Sequence, residues 1–162
     1  MKKSATAIAL AGLLATFPAA ADWQYTKWGM SIDQAARASG NALRVPNPQE
    51  QSKHAVNGLP PGLVGNYDNG SFRFTVDLYF GGPGNSLSSV HLSLQDYTQW
   101  SSLLGALRGL YGEPLEQWRD PRGGGTMRWR DEKGKNEIQV YNMATISHAE
   151  LIYSPLPSAK GL

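Results

Sequence analysis

The sharpest pattern in the chain runs over the ten residues from Ser71 to Phe80: Phe72, Phe74, Val76, Leu78 and Phe80 alternate with Ser71, Arg73, Thr75, Asp77 and Tyr79. Successive side chains of a strand point to opposite sides, so this period predicts a strand with one buried face. Gly81-Gly82-Pro83-Gly84-Asn85 turns the chain. Leu87–Gln95 then returns as a strand, with Val90, Leu92 and Leu94 inward and Ser89, His91 and Ser93 outward. A shorter strand, Leu63–Tyr67, precedes the pair across the turn signal Asp68-Asn69-Gly70.

Two segments carry helical spacing. Ser31 followed by Gln34 is a capping-box signature, which predicts a short helix Ile32–Ser39 closed by Gly40. Its inner face, Ile32, Ala35, Ala36 and Ser39, is small, so the helix must lie close to what it covers. The second helix, Thr98–Tyr111, follows a capping pair Asp96/Gln99 and stops at Gly112 and Pro114. Trp100, Leu103, Leu104, Leu107, Leu110 and Tyr111 form its apolar stripe.

Four more strands are expected at Leu115–Asp120, Thr126–Asp131, Glu137–Met143 and Ala149–Tyr153, and a short aromatic one over Trp23–Lys27. Asn41–Gly62 is polar and holds four prolines. It reads as a long loop with room for one helical turn near Gln49–Ala55, and a loop of that length suggests a flap or a functional segment. The order is strand, helix, strands, helix, strands. It predicts an α+β fold: an antiparallel sheet with two helices packed on one face, the other face open, and a weak helix-plus-strands internal repeat.

The start of the chain changes the domain picture. Lys2 and Lys3 precede an uncharged run, Ala5–Phe17, and then Pro18-Ala19-Ala20-Ala21. This is the pattern of a secretory signal peptide over residues 1–21. The apolar run is shorter than the ~20 residues a spanning helix needs. The expected organisation is therefore a signal, a single domain over 22–153, and a loose tail over 154–162. A periplasmic or secreted location follows, with no membrane-embedded part after cleavage.

Composition narrows the function. Cleavage would remove Lys2 and Lys3 from 15 basic residues and leave 13, equal to the 13 acidic ones. Overall basicity thus gives no footprint for nucleic acid. The chain has no cysteine, which excludes disulfides, thiol catalysis, thiolate metal sites and a cysteine-linked lipid anchor.

Trp28-Gly29-Met30-Ser31 before a short helix resembles small secreted bacterial proteins of uncharacterised function, and so do Leu110-Tyr111-Gly112-Glu113-Pro114, Trp129 and Leu151-Ile152-Tyr153. The element order is similar to the beta-lactamase-inhibitor-protein-like fold, shared with small outer-membrane assembly lipoproteins. The resemblance spans about Trp23 to Tyr153 and implies a non-catalytic protein-binding role. The inhibitor's disulfides and the lipoproteins' cysteine are missing here, and no functional residue of either family matches.

Candidate chemistry is sparse. There is no G-x-S-x-G elbow and no S-x-x-K, and a triad assembled only in space leaves no local signature. His54, His91 and His148 lie far apart in sequence. His148 and Glu150 share a strand face without a third ligand nearby. Arg122–Thr126 is glycine-rich but precedes a strand, unlike a phosphate cradle, which opens a helix. No catalytic residue, metal site or cofactor is expected.

The outward strand positions are the better candidate. Arg73, Tyr79, His91, Arg128, Arg130 and Tyr141, with Thr75, Asp77 and Gln139, would share one sheet face. Tyr and Arg are enriched at interfaces because both combine contact area with directed hydrogen bonds. Ser101, Ser102, Gly105 and Gly109 leave the outer side of the second helix bare, which suggests that the 41–62 loop or a second subunit packs there. The expected function is a soluble periplasmic, non-catalytic module that binds an envelope or secreted protein through its open sheet face. A small-ligand or lipid carrier and an envelope hydrolase are the alternatives.

Overall fold

The computed structural model describes residues 23–157. The expected signal peptide and the last five residues lie outside the described residues. The elements in chain order are α1 (Ile32–Ala38), α2 (Pro48–Lys53), β1 (Leu63–Asp68), β2 (Arg73–Gly81), β3 (Ser86–Leu94), α3 (Trp100–Tyr111), β4 (Glu116–Arg119), β5 (Gly125–Asp131), β6 (Asn136–Met143) and β7 (His148–Pro155). Short 3-10 turns occupy Tyr97–Gln99 and Ala144–Ile146. The strands form one antiparallel sheet in the order β1-β2-β3-β7-β6-β5-β4. The fold is α+β and mostly sheet. Among the described residues, no helix is long and apolar enough to cross a membrane.

Register follows the hydrophobic pattern. Phe74 pairs with Leu94, Val76 with Leu92 and Leu78 with Val90, so the inward residues of β2 and β3 share a face. β7, β6 and β5 extend that face with Leu151, Ile138, Val140, Met127 and Trp129. All five are buried, and Trp129 is 1% exposed. Ala35 of α1 and Leu103 and Leu107 of α3 close the same core. Trp129 Nε1–H also donates to the carbonyl of Gly112 at 2.9 Å, tying the end of α3 to β5.

The capping box of α1 forms as expected: Ser31 accepts from the Gln34 N–H, and Gln34 accepts from the Ser31 N–H. The segment before it is fastened to β3, since Gly29 N–H donates to Leu87 O and Leu87 N–H to Met30 O. Gly29 takes φ +87°, which a side chain would oppose. At α3 the cap differs from expectation. Asp96 accepts from Thr98 instead of entering a box with Gln99, and the helix opens through the 3-10 turn. Leu110 falls outside the buried stripe and is 75% exposed. Trp23–Thr26 is a tight turn and not a strand. β7 continues through Pro155, two residues into the expected tail.

The largest departure concerns residues 41–62. Leu43 is buried in the core, against Gly65 of β1. Arg44 then exchanges backbone hydrogen bonds with Val64 along the outer edge of β1. From there the chain passes to the opposite side of the sheet, where α2 is capped by Asn47 and Glu50. The segment wraps the sheet edge, covering backbone groups that an edge strand would otherwise present for pairing. It does not pack on the outer side of α3, where a Cβ at Gly105 or Gly109 would meet nothing within 4 Å.

Candidate functional site

The pairing register puts the nine outward residues named from sequence on the same side of the sheet. One cross-strand row runs Thr75–Ser93–Glu150–Tyr141–Thr126–Trp118. The next runs Asp77–His91–Ile152–Gln139–Arg128–Glu116. The face is not open along its length, however. The expectation of an unroofed polar face is corrected in part: Asp77, Tyr79 and His91 are buried, with the segment that wraps the edge laid against Asp77 and Tyr79, while Arg73 stays exposed.

His54, at the end of α2, makes the closing contact. Its Nδ1 lies 2.7 Å from Asp77 Oδ2, and the Tyr79 hydroxyl donates to the His54 carbonyl at 2.6 Å. Beside this, His91 Nδ1 lies 3.0 Å from Glu150 Oε1, and the Tyr79 and His91 rings are 4.4 Å apart. Tyr79 is 3% exposed and His91 6%. Alternation assigned both to the correct face, but they are buried on it.

Burial sets the electrostatics here. It raises the Asp77 carboxyl above its ordinary range, and the His54 hydrogen bond only partly opposes this. Burial also raises the Tyr79 hydroxyl, and the Asp77 and Glu150 charges add to it. Asp77 Oδ1 is buried without a hydrogen-bond partner among the described residues. An open cleft of about 430 Å³ lies alongside, lined by His54, Thr75, Asp77, Ser93, His148 and Glu150 among others. The three histidines that are distant in sequence thus gather in one region.

Two imidazoles bonded to carboxylates could orient a general base. Neither histidine is hydrogen-bonded to a Ser, Thr or Tyr hydroxyl among the described residues. Nor, among the described residues, is any group of three or more His, Asp or Glu placed to hold a metal ion. The contacts made by this cluster are those of a latch between segment and sheet.

The β4–β7 half is uncovered. Trp118 is 59% exposed, with Met143 at 38% and Ile146 at 67% close by in the sheet and its adjoining turn. Trp118, Thr126, Tyr141 and Met143 line a groove of about 220 Å³ that ends at the Asp120–Gly125 turn. Arg128 reaches Glu116 on β4 and Glu137 on β6, stitching three strands together. Arg130 is exposed at the next row. Arg128, Arg130 and Tyr141 are therefore neighbours on β5 and β6. Arg73 sits at the other end of the sheet, paired with Asp68 at 3.0 Å.

Trp118, Met143 and Ile146 were not among the residues expected from sequence. The segment around Trp118 lacks the alternation that would have assigned a face. His54 was hidden in a segment read as loop. No protein-family model, curated protein or solved structure matches the chain.

Proposed function

We propose that this chain is a non-catalytic protein-binding module whose docking surface is the β4–β7 half of the polar sheet face. The observation that carries the reading is the exposed Trp118 beside Tyr141 and Met143 at the rim of a groove. A large aromatic left in water next to Arg and Tyr has the composition of an interface centre. Flanking charges, Arg130 and Arg122 among them, would form its polar rim. The basic start, apolar run and small residues of 1–21 support export, so the partner is an envelope or secreted protein.

The two meanders support reading the fold as an internal repeat. β1-β2-β3 and β4-β5-β6-β7 each follow a helix, start at a sheet edge and meet at the centre. A second functional reading, hydrolysis, is favoured by the His54–Asp77 pair beside an open cleft. It requires that His54→Ala abolish turnover of an ester or amide substrate.

A photoreactive benzophenone side chain at position 118, and in parallel at position 33 on α1, tests the binding reading in envelope extract. A discrete adduct from 118 alone, lost when Tyr141→Ala is added, is the expected result. Equal adducts from both positions, or none from 118, would contradict it.

A further inference from the structure

The core side of the sheet holds a crevice of a different character. α1 and α3 are short against seven strands, and they leave a space between α3, the Trp23–Thr26 turn and the sheet. It measures about 290 Å³. Six aromatic side chains line it: Trp23, Tyr67, Phe72, Phe74, Tyr111 and Tyr153. Phe74, buried in the core, and the half-buried Phe72 form one wall of the crevice. Leu110, exposed over three quarters of its surface, stands among the lining residues.

The charge of this crevice is as distinctive as its aromatic wall. Among the described residues lining it, Asp131 is the one that is charged, with no Lys or Arg. Among the described residues Asp131 forms no ion pair, and its Oδ1 accepts from the Gly134 N–H at 2.8 Å within its own turn. Burial, with Asp131's charge adding to it, holds the Tyr111 and Tyr153 hydroxyls above their ordinary range, so they stay neutral.

We propose that this crevice binds a small alkylated ammonium compound, of the quaternary or tertiary class. Such a cation is attracted to the faces of aromatic rings and to a lone carboxylate in a low-dielectric setting. Its alkyl groups replace water against Leu103 and Leu107. A quaternary nitrogen has no N–H to satisfy, so the apolar part of the wall, Leu92, Leu103, Leu107 and Leu151 beside the rings, does not penalise it. Size agrees, because the volume sits at the lower edge of the ~300–1,000 Å³ of small-molecule sites. That has room for a compound of about choline's bulk. The site lies on the opposite side of the sheet from the docking surface and stands independently of it.

Titration of the full chain with choline, and with dimethylbutanol, in which carbon replaces the ammonium nitrogen, tests the proposal through the fluorescence of Trp23. Choline is expected to saturate and to bind roughly tenfold more tightly than the neutral isostere. Asp131→Asn keeps an acceptor for Gly134, so the turn survives. It is expected to weaken choline by roughly fivefold to tenfold while leaving dimethylbutanol unchanged. Ala106→Trp, on the exposed side of α3, should fill the mouth and remove both signals without lowering the melting temperature. Equal affinity for the two compounds, or Asp131→Asn binding choline as wild type does, overturns the proposal. So does the absence of saturation well above ~1 mM, weak even for so small a ligand. A dimer that dissolves on Leu110→Asp and excludes choline would assign the crevice to a second copy, and would also overturn it.

Discussion

His54 Nδ1 lies 2.7 Å from Asp77 Oδ2, across the boundary between the edge-wrapping segment and the second strand. Both side chains are largely withdrawn from water, at 22% and 11% exposure. The pair therefore sits where the segment meets the sheet, and the Tyr79–His54 carbonyl bond reinforces it. Together they cover Asp77 and Tyr79 on the polar face, beside the open cleft at Thr75 and Ser93, and leave the β4–β7 half bare. That division decides which of the outward residues can meet a partner.

His54→Ala removes one side of this contact and leaves both carboxylate oxygens of Asp77 unbonded. Stranding a buried acceptor costs about 2 kcal/mol. Urea unfolding should show that loss, and amide exchange of residues 47–59 should accelerate more than exchange of the central strands. Uniform acceleration would show that the segment and sheet open as one unit.

Asp77→Asn keeps an acceptor facing His54 while removing the charge. The Asp77 carboxyl titrates above its unfolded value, so the native state binds the proton more tightly than the unfolded one. Wild-type stability then declines as pH rises from the ordinary Asp range, about 4, through the native value. The variant lacks that decline. Its melting temperature should exceed that of wild type at pH 7, and the gap should close below about pH 4. A constant gap across pH would contradict the burial argument.

Gly65→Ala tests the wrap at the edge strand. A Cβ there would sit 2.6 Å from Leu43 Cδ2 and 3.0 Å from the Ala42 carbonyl. The leucine end can swing, but the carbonyl is backbone, so residues 42–44 must move away from the first strand. A loss of about 1–3 kcal/mol is expected. Thermal unfolding checks it, and a wild-type melting temperature would mean the segment is not seated there.

Trp118→Ala should separate function from stability. The indole is mostly in water, so the melting temperature should fall little, with a stability change within about 0.5 kcal/mol. Partner capture should drop by at least tenfold, the loss typical of an interface hot spot of ~2 kcal/mol. Retained capture would remove Trp118 from the docking surface.

Much of the sheet was legible in the residues themselves. Strict alternation from Phe72 to Phe80 fixes both the strand and its inward set, and Val90, Leu92 and Leu94 answer it across the turn. What alternation cannot report is whether an outward face stays in water. Tyr79 and His91 point outward, and they are buried by a segment whose prolines and polar residues carry no period at all. Spacing is equally blind to Leu110, which fits a helical stripe but is 75% exposed. Trp118 sits on a strand of four residues, all exposed, with no alternation to assign it a face. The latch needed His54 and Asp77, 23 positions apart, and only the edge wrap brings them together.

Oxidative footprinting of the free protein measures the two halves of the face in one experiment. Trp118 and Met143 should be modified rapidly and Tyr141 at an intermediate rate, with Tyr79 and His91 protected until the protein unfolds. Modification of Tyr79 and His91 as fast as Tyr141 would mean that the segment does not cover this part of the face, and would contradict the division on which the docking surface rests.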